Sequence, residues 1–355
     1  MPAFITTMNF SKRLIDWYFI HKRELPWREI NNPYYIWLSE IILQQTRVEQ
    51  GMPYYRAFVT AFPTVQDLAA APQDKVLKLW QGLGYYSRAR NLHTAAQQVV
   101  DLGGSFPETY NKLLFLKGVG DYTAAAIASF AFNEAVPVVD GNVYRVLARV
   151  YGIATPINST PGAKEFKALA TLLLDKKRPA LFNQAIMEYG AMHCKPANPL
   201  CTSCVFSDHC VALEQGRIAE LPVKLKSKPV THLHHHYLVI VTPSHKTLLV
   251  KRPQQGIWAG LYEFPYLEAA HTLSPAALQE QVMGMEWLSG VRFRESVTPQ
   301  PPVIHKLSHR TIHATFWVLE TLDELQGTIT IKDAFKKPVH VLMERFMKSQ
   351  WNAYL

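Results

Sequence analysis

The placing of the four cysteines constrains this chain more than any other feature. Cys194, Cys201, Cys204 and Cys210 are its whole complement, and they crowd into one segment with the spacing Cys-x6-Cys-x2-Cys-x5-Cys. A disulfide framework spreads its cysteines over a fold and needs an oxidising compartment. Metal ligation fits better. Four thiolates this close can wrap one cubane iron–sulfur cluster. Structural zinc is the rival, but it usually shows two close cysteine pairs, and only Cys201 and Cys204 make one here. Four unligated structural cysteines are the third possibility.

The rest of the chain changes texture once. From about Asn9 to Leu213, apolar residues recur at helical spacing: Ile36, Trp37, Leu43 and Val48, then Leu68, Val76, Leu79 and Trp80, then Val143, Leu147 and Val150. Pro63-Thr64, Pro72, Gly82 to Gly84, Gly103-Gly104 and Pro161-Gly162 punctuate these runs. The stretch from Leu221 to Pro229 is basic and bounded by prolines, as in a linker. Beyond it come β-type runs at Tyr237 to Thr242, Thr247 to Lys251, Val303 to Leu307 and Ala314 to Leu319. The turn Pro243 to Lys246 could join the first two as a hairpin. Helical patterns return near Pro275 to Met285 and Val339 to Gln350. The expected organisation is a helical domain over 1–221 that includes the cysteine loop 194–210, a linker over 222–232 and an α+β domain over 233–355.

Length and charge bound the function. A chain of 355 residues suits two domains. Its 48% apolar and 18% charged content excludes a disordered chain. No apolar run approaches the roughly 18 residues that span a bilayer. Met1 to Ser11 lacks a basic stretch followed by an apolar core, so no secretory signal is expected. The expectation is a cytoplasmic protein with no membrane partner. The net charge of +9 and pI near 9.2 suit a polyanion, although many basic proteins bind no nucleic acid.

Three further segments carry chemistry. In Leu113 to Ile127, Gly118-Val119-Gly120 separates two helical stretches. The glycines permit a tight turn, and the second helix starts with free N–H groups that suit a phosphate. An ordinary helical corner would also contain Gly-x-Gly. Further along, Asp140 in Val138-Val139-Asp140-Gly141-Asn142 stands where a helix N-cap belongs, and capping alone would account for it. Glu40 lies among Ile36, Trp37, Leu43 and Gln44 on a helix that is apolar nearly all round. Such a helix should be buried. A carboxyl group there is desolvated, its pKa rises, and it can act as a general acid near neutral pH. A surface glutamate is the bland alternative.

The cysteine spacing after a helical run such as Phe182 to Met192 resembles the cluster loop of the endonuclease III family of DNA glycosylases. The resemblance implies one 4Fe-4S cluster, structural in role, with Lys195 in a loop facing DNA. Hairpin, loop and aspartate in that order resemble the helix–hairpin–helix glycosylase superfamily. Bifunctional members carry a Schiff-base lysine at the position held here by Tyr122, and Lys117 does not fit that role. Base removal without efficient strand cleavage is therefore expected.

Leu25-Pro26-Trp27-Arg28, Asn32-Pro33-Tyr34 and the run Trp37 to Val48 resemble adenine DNA glycosylases of the MutY type. The resemblance implies Glu40 as the acid at adenine N7 and Asp140 as stabiliser or nucleophile, with Tyr122 and Asn142 setting Asp140 and the water. It places Arg23, Trp27, Leu43 and Gln184 in the adenine pocket, although Trp27 and Leu43 would serve equally as core. Gln45 and Tyr85 would be wedge residues. Thr46, Leu83, Gly118 and Gly120 would also touch DNA. The implied partner is double-stranded DNA with adenine opposite 8-oxoguanine or guanine, met by a monomer that is nucleoid-associated in a bacterial cell.

In the second domain, Gln255 to Pro265 resembles the loop of Nudix-like domains. A Nudix hydrolase needs a glutamate-rich helix to hold magnesium, and the helical stretch Ala276 to Gln281 carries a single glutamate, Glu280, and no such run. The resemblance implies a Nudix fold without its chemistry, used to recognise 8-oxoguanine. The family's Phe-Ser-His motif is Leu307-Ser308-His309 here. The leucine weakens stacking, while Ser308 and His309 keep their hydrogen-bonding capacity. The expected fold is thus multidomain: an all-α helix–hairpin–helix glycosylase domain, then an α+β Nudix-like domain. Other functions in view are a bifunctional pyrimidine-lesion glycosylase/lyase, a non-catalytic lesion binder and a nucleotide pyrophosphohydrolase. Tyr122 and the second domain oppose the first. Glu40 with Asp140 opposes the second, and the missing glutamate run the third.

Overall fold

The structure, a computed structural model, describes residues 7–226, 229–294 and 298–351. Residues 1–6, and Ser227 and Lys228 of the expected linker, lie outside the described residues. Helices occupy the first part: α1 (Thr7–His21), α2 (Pro33–Leu43), α3 (Val48–Ala61), α4 (Val65–Ala70), α5 (Gln73–Leu79) and α6 (Ser87–Asp101). After them come α7 (Tyr110–Leu113), α8 (Asp121–Phe132), α9 (Gly141–Tyr151), α10 (Thr160–Leu173), α11 (Pro179–Met192) and α12 (Val211–Glu214). No helix among the described residues is long and apolar enough to cross a membrane.

The chain divides into two compact units, Met1–Ala70 with Asn91–Lys226 and Ala71–Arg90 with Ser227–Leu355. Residues 71–90, placed by sequence in the helical part, group with the second unit.

In the first unit, local signals start and stop the helices that matter. Asn32 caps α2 by accepting from the Tyr34 N–H at 3.0 Å, and Pro33 occupies its first turn. In α9, Val143, Val146, Leu147 and Val150 line one face at helical spacing, and all are buried. That face joins Phe10 and Trp17 of α1, Phe166 of α10 and Phe182 and Tyr189 of α11 in one core. Phe10 stacks on Phe206 with centroids 4.6 Å apart, and Trp17 meets Tyr189 edge-on at 4.7 Å. The small residues Ala124, Ala125, Ala126 and Ala128 keep α8 thin, and α8 packs along α2. Both helices are buried over most of their lengths, as the apolar sequence of α2 leads one to expect.

Two glycines are needed where they stand. Gly118 has φ +76°, and a Cβ there would sit 2.6 Å from Asn91 Cβ. Gly190 lets α11 approach α9, since a Cβ would meet Asn142 Cβ at 2.6 Å and Asn142 O at 2.8 Å.

The second unit is built on a sheet in the order β5–β1–β8–β6, with β7 also paired to β8. Its strands are β1 (Thr231–Val241), β2 (Lys246–Thr247), β3 (Val250–Lys251), β4 (Tyr262–Glu263), β5 (Tyr266–Ala269), β6 (Thr298–Pro299), β7 (Val303–Lys306), β8 (Arg310–Glu320) and β9 (Ile329–Thr330). Helices α13 (Pro275–Met283), α14 (Ile331–Lys336) and α15 (Val341–Gln350) complete it. The long β1 and β8 run parallel, with Tyr237 opposite Phe316.

The Pro243–Lys246 turn forms, with Thr242 N–H donating to Lys246 O at 3.0 Å, but it makes no β1–β2 hairpin. Lys246 and Thr247 pair instead with Thr330 and Ile329. The partners of β1 are β5 and β8. The expected strand Thr247 to Lys251 breaks into two short pieces, β2 and β3, that join different sheets. Leu307-Ser308-His309 forms the tight β7–β8 turn, closed by Leu307 N–H donating to Arg310 O at 2.7 Å.

One buried amide holds the loop before α9. Asn183 Oδ1 accepts from Val138 N–H at 3.0 Å, and its Nδ2 donates to Ser129 Oγ and Val136 O, each at 2.9 Å. Asn183→Leu should cost roughly 2–4 kcal/mol, because several buried polar groups lose partners at once. The shift in the first unit's denaturation midpoint measures it.

Candidate active site

The α2–α8 contact and the N-terminus of α9 bring two carboxyl groups and a phenol together. Glu40, on α2, is 8% exposed. Tyr122, in the first turn of α8, donates its hydroxyl to Glu40 Oε2 at 2.5 Å. Asp140 caps α9. Its Oδ1 accepts from Asn142 N–H at 2.9 Å and Val143 N–H at 2.8 Å, and its Oδ2 accepts from Asn142 Nδ2 at 2.7 Å.

The electrostatics separate their roles. Burial pushes the Glu40 carboxyl up to about 7. Tyr122's hydrogen bond works against that rise, the charge of Asp140 adds to it, and Arg28 opposes it. Burial and the neighbouring carboxylates hold the Tyr122 phenol well above its ordinary range, so it stays a donor. Burial also raises Asp140, but three hydrogen bonds to its ionised form oppose the rise. Asp140 therefore performs the capping anticipated for it, and it also faces Glu40 closely enough to affect its proton.

A second polar group adjoins the first through Arg28. Glu188 on α11 is 1% exposed. It receives Arg23 Nε and Nη2, each at 2.8 Å, Arg23 N–H at 3.0 Å, and Arg28 Nη2 at 2.5 Å. Burial alone would raise its pKa, but the two guanidiniums hold it down at about 2. Gln184, one turn earlier on α11, accepts from the Tyr18 hydroxyl at 2.8 Å. Sequence reasoning named Arg23 and Gln184 but missed Glu188, Arg28 and Tyr18. A glutamate inside the apolar run Phe182 to Met192 was the available signal for Glu188. Nothing local in the sequence shows that it binds residues 23 and 28.

The remaining expected residues lie as follows. Trp27 is buried and meets Tyr55 edge-on at 4.8 Å, a core contact. Leu43 is half-buried over Gly51. Thr46 is half-buried, its hydroxyl donating to Gln44 O at 3.3 Å. Gln45 is exposed with φ +56°. In the second unit Leu83 is buried, while Tyr85 is 50% exposed with φ +47°. A positive φ is costly for a side chain of this size, and such strain clusters at functional sites. The Tyr85 and Ser308 hydroxyls are hydrogen-bonded at 2.6 Å, and His309 is exposed beside them. Gly118 and Gly120 are exposed at the hairpin, and Gly120 precedes α8 as its N-cap.

Asn142 Oδ1 accepts from Arg145 Nη2 at 2.8 Å, and Arg145 Nε donates to Cys194 O at 2.7 Å. One turn on, Arg149 donates to Lys195 O at 2.8 Å and to Cys194 Sγ at 3.5 Å. The four cysteines line a single cavity, together with Val150, Leu200, Leu213 and Ile218. Tyr189 hydroxyl donates to Cys204 Sγ at 3.0 Å. Burial pushes the thiols of Cys201 and Cys204 up, and that of Cys210 up to about 11. Bare thiolates are therefore disfavoured here, and a cationic metal core would reverse the balance. Among the described residues no group of three or more His, Cys, Asp or Glu side chains is poised to hold a metal ion. The four thiols line one cavity, and N–H and O–H donors reach the sulfurs of Cys194 and Cys204, which is the chemistry of a thiolate-ligated group.

Comparison with known proteins identifies the family. Residues 38–171 match the HhH-GPD superfamily of base excision DNA repair proteins, and residues 236–349 match the NUDIX domain. An adenine DNA glycosylase of Arabidopsis thaliana is 41% identical over 298 residues, 73% of this chain; the chain spans about half, 47%, of that relative's length. One from Buchnera aphidicola (subspecies Schizaphis graminum) is 31% identical over 313 residues, 87% of each chain. The solved structure of a thermostable thymine-DNA glycosylase superposes with a TM-score of 0.55 at 29% identity, covering 59% of this chain and 97% of that one. The chain therefore belongs to the adenine DNA glycosylase family of base-excision repair enzymes, with a helix–hairpin–helix domain followed by a Nudix-like one.

Proposed function

We propose that this protein, acting as a monomer, hydrolyses the N-glycosidic bond of adenine mispaired with 8-oxoguanine or guanine in double-stranded DNA. One observation carries the proposal: Glu40, a buried carboxyl among apolar side chains that accepts from Tyr122 and carries no cationic partner in hydrogen-bond contact among the described residues, lies near the second carboxyl, Asp140, and its pKa is raised accordingly. Adenine leaves poorly as an anion. Glu40 donates its proton to N7 of the flipped base, and the bond electrons pass to a neutral leaving group. Positive charge then develops at the sugar C1′. Asp140 stabilises that cation or bonds to it, following the two-carboxylate logic of glycoside hydrolysis. Water adds at C1′, leaving an abasic site and free adenine. Asn142 and Tyr122 hold the two carboxylates in place.

Arg23, Trp27, Leu43 and Gln184 form the adenine pocket in this account, with Arg23 acting through Glu188. The left-handed backbones of Gln45 and Tyr85 support their role as wedges, beside Thr46 and Leu83. The hairpin at Gly118 and Gly120 offers the N–H groups of α8 to a phosphate. Ser308 and His309, on the exposed β7–β8 turn, read the oxidised guanine. The cysteine segment holds one 4Fe-4S cluster, which when bound supplies a structural cross-link and no step of the reaction.

Glu40→Gln should lower base release by at least about 10²-fold, the scale of general-acid catalysis, while DNA affinity stays near wild type. The acid must be protonated to act, so the single-turnover rate should fall as pH rises through about 7. A rate that is flat up to pH 9 would refute Glu40 as the acid. A panel of duplexes, with adenine opposite 8-oxoguanine, adenine opposite guanine, and thymine glycol, tests the substrate. Release is expected from the first two, with little borohydride-trapped adduct, because Tyr122 replaces the lysine nucleophile. Release from thymine glycol alone would favour the lyase alternative. Iron and acid-labile sulfide should be present in near-equal amounts in protein purified without oxygen and be lost in Cys204→Ser; stoichiometric zinc instead would overturn the cluster.

A further inference from the structure

We infer that Tyr18 sets the purine specificity of the site by fixing which way round the Gln184 amide faces. The inference rests on the adenine-release proposal and deepens it.

Tyr18, on α1, is 3% exposed, and its hydroxyl donates to Gln184 Oε1 at 2.8 Å. Arg28 lies over the Tyr18 ring, 5.6 Å from its centroid, and is itself tied to Glu188 at 2.5 Å. The charge of Arg28 also reaches Glu40. Tyr18, Gln184, Arg28 and Glu188 thus form one connected group, which the charge of Arg28 links to the proposed acid. Burial raises the Tyr18 pKa, so its hydroxyl keeps the proton.

A glutamine amide has an acceptor end and a donor end of nearly the same shape, and in isolation either orientation serves. Here a phenol proton needs an oxygen. A flipped amide would turn its NH₂ towards Tyr18 and leave that proton without this acceptor, which costs roughly 1–3 kcal/mol in a buried place. Donor and acceptor ends are therefore locked.

The lock has a chemical consequence. On one edge, adenine shows an N6 donor beside an N1 acceptor. Hypoxanthine shows the reverse, an O6 acceptor beside an N1 donor. Both keep N7 as an acceptor for Glu40, so the acid step does not separate them. A locked amide matches one order and leaves polar groups facing their like in the other, which a pocket built on hydrogen bonds rejects strongly. A free amide would rotate and serve both. Tyr18 is thus a positioning residue that acts on the base only through Gln184.

Tyr18→Phe removes the hydroxyl and keeps the ring under Arg28. Single-turnover base release should be measured from duplexes with deoxyadenosine or deoxyinosine opposite 8-oxoguanine, for wild type, Tyr18→Phe, Gln184→Leu and the double variant. The preference for adenine should fall about tenfold in Tyr18→Phe, as expected for loss of one buried hydrogen bond. Its pH profile should stay near wild type, and its melting midpoint should fall by no more than about 4 °C, the scale of one buried hydrogen bond. The same change made in Gln184→Leu should leave the preference where Gln184→Leu alone puts it. An unchanged preference in Tyr18→Phe, or an equal drop in the Gln184→Leu background, overturns the role of Tyr18. Wild-type protein that releases no adenine overturns the adenine assignment itself, and this role with it.

Discussion

The first unit depends on one contact, the hydrogen bond from Tyr122 across the α2–α8 interface to Glu40. A carboxylic acid placed among Ile36, Trp37, Ile41 and Ile42 would cost several kcal/mol to ionise without a partner. The tyrosine satisfies one oxygen without adding positive charge. An arginine or lysine in its place would hold the carboxylate ionised and leave no proton to donate. The alanines of α8 serve this contact, because a bulkier face would hold the helices apart.

Helix α9 couples capping to chemistry. Asp140 must cap the helix, which requires an ionised or strongly hydrogen-bonded carboxylate at its N-terminus, where the helix dipole favours negative charge. The same charge raises Glu40. The two carboxyl groups therefore have their pKa values set by different surroundings, one apolar and one rich in N–H donors, a pattern known from paired acids in glycoside chemistry. From its other turns α9 sends Arg145 and Arg149 into the cysteine loop, so the element that aims Asp140 is also fastened to that loop.

Much of this was legible in the chain. The helical texture, the buried α2 and the capping place of Asp140 follow from periodicity and capping chemistry, which act over a few residues. The family resemblance carried the matched domains and the enzyme class. The β1–β2 hairpin misled, because a good turn at Pro243 to Lys246 says nothing about which strand its far arm joins. Thr247 and Lys246 pair with Ile329 and Thr330, more than eighty positions away. Residues 71–90 also look like any other helical segment, yet they group with the second unit.

By itself the sequence determined the kinds of group available: four clustered thiols, a glutamate in an apolar helix, an aspartate at a helix start and a tyrosine where a nucleophilic amine could have stood. Only the tertiary structure decided which of them meet. Glu188 finds Arg23 and Arg28 across 160 residues or more, Gln184 finds Tyr18 across 166, and Tyr122 finds Glu40 across 82. Local rules cannot fix such pairings. They are set by how helices pack once their apolar faces are buried, and a polar group trapped in that packing takes whichever partner the packing brings within reach.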